Sequence, residues 1–420
     1  MTGGHLSTCP RMLKAAEALA GAGYDVRVVS GNFEPWASAA DELLRSRLKL
    51  RCTVVDYSRA TANAMRVRAG LRYRICRAMA ATVGANALPS TIIGCAMNRI
   101  APELVRAATS EPADLIYSGG GVLVPAALAA KRLGIPYAVD LEDFHSGFEP
   151  VTTSQGRLDN AISAAAENVV FREAAFLTTA SDGIADEYSR NYGRRPLVIN
   201  NTFPLPALAP DFSSSNSAPL RLYWFSQTIG PGRGLEEAVQ AAGLSDAACE
   251  LHLRGKAIPQ YISGLRGLAA QCAPKLKIVQ HDPVPPDEII TSCHDMDIGL
   301  ALEQAQPLGR ELCLTNKAFT YILAGLAVVF TDTPGQRTLA RDLGEGAWLY
   351  QPGDVESFAA GLKLWAEDPE KLISARRAAW EASCRRWHWE HEEERGRLLR
   401  AVQSVVPLPT MPLTAVAQRG

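Results

Sequence analysis

Residues 307–335, reading PLGRELCLTNKAFTYILAGLAVVFTDTPG, restrict the possible architecture more than any other part of the chain. They hold a polar loop, an apolar helical run over 316–324, a glycine stop at Gly325 and a β-rich run over 327–330. Thr315 or Asn316 is placed to cap the helix, and Gly325 to end it in a left-handed turn. In an α/β sheet a loop of this kind lies outside the carboxyl ends of the strands, where helix amides and the helix dipole attract anions. A phosphate-bearing ligand is expected there.

The same alternation recurs along the chain. Residues 3–30 read as a Gly-rich loop, an amphipathic helix stopped at Gly23, and a strand over 25–30. Residues 113–139 give strand, Gly119-Gly120-Gly121, helix and strand, and residues 176–204 repeat the theme. A further strand over 220–225 leads through a loop over 226–236, with repeated glycines and Arg233, into another helix. Strands alternating with helices argue for parallel, doubly wound sheets of α/β class. The first of these units lacks the apolar strand that should feed its glycine loop, so the natural start is expected upstream of Met1.

With 420 residues, 47% of them hydrophobic, the chain has enough apolar material for two cores, so two domains are expected. The Pro- and Ser-rich stretch 203–219 reads as the linker between a domain over 1–202 and one over 220–385. Residues 386–405 read as a terminal helix, and 406–420, without periodicity, as a disordered tail.

A net charge of -1 gives no global reason to expect nucleic acid as a partner. Nine scattered cysteines without a C-x-x-C pair fit reduced thiols, with Cys293-His294 too sparse for a metal site, and no metal or cofactor is expected. No signal peptide opens the sequence, which predicts a cytoplasmic protein. His252 and His281 read as structural.

Two segments carry further chemistry. After the strand ending near Val139, Asp140-Leu141-Glu142-Asp143-Phe144-His145 sets three carboxylates and an imidazole at a strand's carboxyl end, where sites cluster. Between residues 60 and 110 a helical pattern interleaves Arg66, Arg68, Arg72, Arg74 and Arg77 with Met65, Leu71, Tyr73 and Ile75. That pattern fits either a solvated basic face or peripheral contact through 65–77 with an anionic membrane or a lipid-diphosphate acceptor.

These motifs together resemble glycosyltransferase family 4, a group of retaining enzymes with the GT-B fold. Thr315-Asn316-Lys317-Ala318-Phe319-Thr320-Tyr321 followed by Ala324-Gly325-Leu326-Ala327-Val328-Val329 is similar to the family's Pro-Asn-Lys-x-Phe-Glu-Tyr helix and Ala-Gly-x-Pro-Val-Val strand. The opening Pro10-Arg11, Ala15, Leu19 and Gly23-Tyr24-Asp25-Val26, and the loop at 140–145, also resemble family segments. The resemblance implies two Rossmann-like domains facing a cleft, with a C-terminal helix crossing back to the first. It implies transfer of a sugar from a nucleotide-diphosphate sugar to a sugar or lipid-linked acceptor, with retention, without a metal, inside the cell or at the inner face of the membrane.

Onto this sequence the resemblance carries donor contacts at Gly3, Gly4, Gln227, Arg233, Arg310, Glu311, Asn316, Lys317 and Thr320, and acceptor or catalytic roles at Glu142, Asp143 and His145. Three positions depart from it. Gln227 stands for one of two expected cations, with Lys317 or Arg310 as replacement; Thr320 stands for a ribose-binding glutamate; and Leu312 stands for a second glutamate that Glu311 could replace. These departures leave two other readings: a GT-B protein that binds without transferring, and a sugar-nucleotide epimerase.

Overall fold

The computed structural model describes residues 1–48, 50–212, 219–285 and 288–408. The chain divides into two compact units: residues 1–142, 157–178 and 395–420 form unit 1, and residues 143–156 and 179–394 form unit 2. This differs from the expected division near residue 202, because several segments of the first half hold to the second. The Ser181 hydroxyl donates to Leu312 O at 2.6 Å, and Glu394 accepts Asn200 N–H at 2.5 Å. The described part of the expected linker is likewise tied down within unit 2. Trp389 N–H donates to Phe203 O, Arg376 donates to Asp211 O, and Phe212 lies under the Arg376 guanidinium. The remainder, 213–218, and most of the expected tail, 409–420, lie outside the described residues.

In unit 1 the strands β1 (Arg27–Asn32) and β2 (Arg51–Asp56) pair in parallel. Strands β3 (Ile116–Ser118), β4 (Tyr137–Leu141), β5 (Leu177–Thr179) and β6 (Leu197–Val198) follow in that order in a second sheet, with the unit boundary falling inside β5. The first two residues stand where the sequence lacks a strand. Met1 exchanges hydrogen bonds with β3 through Tyr117 O and Gly119 N, and Thr2 N–H donates to Val29 O of β1. A cavity of about 280 Å³ continues this line between the two strands. The C-terminal helix Arg397–Gln403 also belongs to unit 1, where Tyr24 Oη donates to Val406 O.

Unit 2 is built on six strands: β7 (Leu220–Ile229), β8 (Cys249–Ala257), β9 (Leu276–His281), β10 (Ile298–Ala301), β11 (Ala327–Thr331) and β12 (Ala347–Tyr350). Their order is β12-β11-β10-β7-β8-β9, all in parallel pairs. Helices cover both faces, so inner strands are continuous apolar runs rather than alternating ones. In β11 the period of two sends Ala327 and Val329 into one core, with Leu222, Trp224 and Leu251, while Val328 and Phe330 enter the other, with Tyr321 and Phe319. The strand order reverses between β7 and β10. In an open α/β sheet that reversal opens a crevice outside the strands' carboxyl ends, the general ligand position of such folds.

Candidate functional site

The two loops at this crevice follow β7 and β10. Strand β7 runs four residues past the expected end, with a register shift between Phe225 and Thr228, so Gln227 is an exposed strand residue. The loop shrinks to residues 230–234 before the helix Leu235–Ser245. Gly234 closes it at φ 73°, and a Cβ there would lie 2.7 Å from Leu302 Cβ. Only glycine permits both the left-handed backbone and that approach. The glycine therefore brings Arg233 close to the residues that leave β10.

Those residues include Glu303, which the sequence reading passed over. Its carboxylate is buried and accepts from Lys317 Nζ at 2.8 Å and from Thr315 Oγ1 at 3.0 Å. Burial pushes the Glu303 carboxyl up, but the Lys317 charge and hydrogen bond, the Thr315 bond and the more distant Arg310 outweigh it and hold it below the ordinary carboxylate range. The signal was present in the sequence as one acid closing the apolar run from Ile298 to Leu302.

This pairing corrects two expectations. Lys317 is buried on Glu303, above the Trp224 ring, and its charge is spent within the protein. Thr315 gives its hydroxyl to Glu303 and leaves the helix Asn316–Leu323 without a side-chain cap. Thr320 is a third correction: it is fully buried, with its hydroxyl donating to Asn316 O in the preceding turn, so a ligand does not reach it.

The cations that remain are Arg233 and Arg310. Both are half-buried, and among the described residues neither guanidinium makes a hydrogen bond or an ion pair. Burial and the neighbouring Arg310 charge pull the Arg233 pKa down, against the attraction of Glu303. Two like charges held near each other without a carboxylate of their own describe a site for an anion. Arg310 lies on the short helix Leu308–Leu312. Gly183 and Gly335 let that helix's carboxyl end approach closely, since Cβ atoms there would lie 2.8 and 2.5 Å from Leu312 O.

Glu311 shares the short helix, and its carboxylate makes no hydrogen bond or ion pair among the described residues, whereas Leu312 is buried. Asn316 is half-buried at the start of the next helix. The turn His145–Gly147 packs against the other side of the same short helix, with Gly147 O and Phe144 O beside Gly309. His145 N–H donates to Tyr188 Oη, which donates to Asp143 O. The His145 Nε2 is buried without a hydrogen-bond partner. Asp143 also faces the buried Cys313 thiol, whose pKa is raised first by burial and then by Glu303 and Asp143. Unit 2 thus gathers Arg233, Arg310, Glu311, Asn316, Asp143 and His145 around one short helix.

Gly3, Gly4 and Glu142 belong to unit 1. A Cβ on Gly3 would lie 2.3 Å from Asn98 Nδ2, so this glycine serves packing, whereas a Cβ on Gly4 would meet Phe33 and Thr8 at ordinary contact distance, 3.8 Å. Asp140, the first of the three carboxylates singled out from sequence after Val139, is committed: Arg11 Nε and Nη2 donate to its two oxygens at 2.7 and 2.6 Å, and Thr178 Oγ1 donates at 2.7 Å. His5, not singled out from sequence, is locked between Asp41 on Nδ1 and the Phe33 and Glu34 amides on Nε2.

Residues 10–202 match the sequence profile of the glycosyl transferase 4-like domain. The match takes in a little under half of the chain, and the fold of the whole is GT-B. The GT-B assignment rests on solved structures similar to nearly the whole chain. The Anabaena protein HepE, solved in complex with UDP-glucose, is 17% identical over 96% of this chain and 96% of its own, with a TM-score of 0.62. Sucrose-phosphate synthase from Thermosynechococcus elongatus is 14% identical over 94% and 93%, at 0.60. A glycosyltransferase from Rickettsia africae is 11% identical over 94% of each chain, at 0.58. Comparison with curated proteins gives no match. Among the described residues, no helix is long and apolar enough to cross a membrane, and no group of three or more His, Cys, Asp or Glu could hold a metal ion.

Proposed function

We propose that the protein transfers a glycosyl group from a nucleoside-diphosphate sugar, with uridine as the first nucleoside to test, to a hydroxyl of a sugar or lipid-linked acceptor, with retention and without a metal ion. The observation that carries this reading is the unpartnered pair Arg233 and Arg310 at the sheet's reversal point. Breaking the bond between the sugar and the diphosphate puts negative charge on the leaving group, which is the main electrostatic demand of the reaction. Two guanidiniums supply that charge in fixed, half-desolvated positions. Arg310 takes the role vacated at Gln227, and Lys317 instead holds Glu303 in place. Asn316 and its uncapped helix start are a second donor contact, and Glu311 accepts from the ribose hydroxyls in place of Leu312 and Thr320. His145, through its free Nε2, contacts the transferred sugar, with Asp143 serving the acceptor hydroxyl. The work is done inside the cell, where lipid-linked acceptors face the inner leaflet.

Calorimetric titration with UDP and GDP, beside a donor screen scored by released diphosphate, tests the reading. Micromolar binding that weakens by about tenfold or more in Arg233→Ala and in Arg310→Ala, together with turnover of one donor, supports it. Binding without turnover on any donor would favour a non-transferring GT-B protein, a reading that the burial of Thr320 and Leu312 motivates. Conversion of the donor without acceptor would indicate an epimerase. No binding to either nucleotide would remove the proposal.

A further inference from the structure

The helix Asn63–Val83 of unit 1 has no part in the donor site, and its 21 residues include five arginines and no acid. At about 1.5 Å per residue it is roughly 32 Å long. Its packed face is narrow: Ala69, Cys76 and Ala80 are buried, on the side where the helix Ser90–Met97 packs. About half a turn away, Val67, Leu71 and Ile75 repeat every fourth residue and are 64%, 58% and 51% exposed. A soluble helix ordinarily turns its one apolar stripe inward. This one turns small residues inward and its branched apolar residues out.

The arginines divide the same way. Arg72 reaches Glu103 with two hydrogen bonds, at 3.0 and 2.6 Å, and Arg77 is paired with Asp159. Arg68 and Arg74 flank the outward stripe, are exposed, and make no hydrogen bond or ion pair among the described residues. The outer face is therefore an apolar ridge edged by free cations, with no acid on the helix to offset them. We infer that this face docks on an anionic lipid surface, with the helix lying in the plane of the headgroups, Val67, Leu71 and Ile75 entering the acyl boundary, and Arg68 and Arg74 meeting phosphates. The long arginine stems suit that position, since they keep the guanidinium at headgroup level while their methylenes cover apolar surface. The inference stands apart from the donor-site reading and does not require it.

Sedimentation of the full-length protein with vesicles tests it, comparing phosphatidylcholine alone with an equal mixture of phosphatidylcholine and phosphatidylglycerol. Binding is expected only to the anionic vesicles, and it should weaken steeply as salt is raised. Arg68→Glu with Arg74→Glu, and separately Leu71→Glu with Ile75→Glu, should each weaken binding by about tenfold or more while melting and UDP binding stay as in the parent. Lipid binding that survives both double variants overturns the proposal, as does absence of binding to the anionic vesicles. If light scattering shows that the parent self-associates and Leu71→Glu abolishes this without any lipid binding, the face is an interface between copies, which also overturns it.

Discussion

Arg11 in unit 1 and the pair Arg233 and Arg310 in unit 2 are alike in sequence, each a cation at or just before the start of a helix. Their surroundings differ. Arg11 is buried against Asp140, whose two oxygens it fills, and Thr178 completes the carboxylate. Arg233 and Arg310 are half-buried, repel each other, and meet no carboxylate of their own. A buried charge with its counter-ion is part of the scaffold, whereas a held charge without one has a vacancy for a ligand. Lys317 falls with Arg11 in this division although it lies next to the site, because Glu303 takes its charge.

The largest expected effect tests the scaffold side. Arg11→Leu strands the Asp140 carboxylate in a buried position and should lower the unfolding free energy by about 3–5 kcal/mol in a urea titration. Arg11→Leu with Asp140→Asn should recover part of that loss. Should Arg11→Leu melt like the parent but lose UDP binding, the division between the two regions is drawn in the wrong place.

On the site side, Arg233→Ala and Arg310→Ala should each weaken UDP binding by about 10- to 100-fold, or about 1.4–2.8 kcal/mol. Their thermal midpoints should stay level or rise, since each substitution removes one of two repelling charges. A fall in stability comparable to that of Arg11→Leu would show that these arginines have internal partners.

A weaker effect lies in pH. The folded protein holds Glu303 below its ordinary value near 4.5, so the unfolded chain takes up this proton first. The stability contributed by the pair is thus complete above that range and is lost as pH falls through the depressed folded value. Glu303→Gln should be less stable at neutral pH and should lose less on acidification. Urea midpoints taken from neutral to acid pH check this, and equal slopes for parent and variant would remove Glu303 from the account. The smallest change is expected at Gln227→Ala, within about twofold in UDP affinity, because an exposed strand residue carries none of the charge.

The strands that sequence made most legible are those buried on both faces. β10 and β11 read as uninterrupted apolar runs because helices cover them on each side. β2, β9 and β12 escaped notice, and each lies at the edge of its sheet, where RCTVVD and LKIVQH mix polar and apolar residues without a clean period. The extension of β7 through Gln227 escaped for a related reason: only pairing of Thr228 and Ile229 with Lys256 and Ala257 makes that segment a strand.

By itself, then, the sequence determined the α/β alternation, the glycine loops at the carboxyl ends of strands, and the presence of cations near them. Those properties are local, set by apolar runs and backbone freedom over a few residues. Tertiary structure alone decided which cations are free, since Asp140 stands 129 residues from Arg11, and Glu303 reaches Lys317 only because β10 and the Asn316–Leu323 helix pack together. Charge pairing depends on distances of a few ångströms between distant segments, and spacing along the chain does not report those distances.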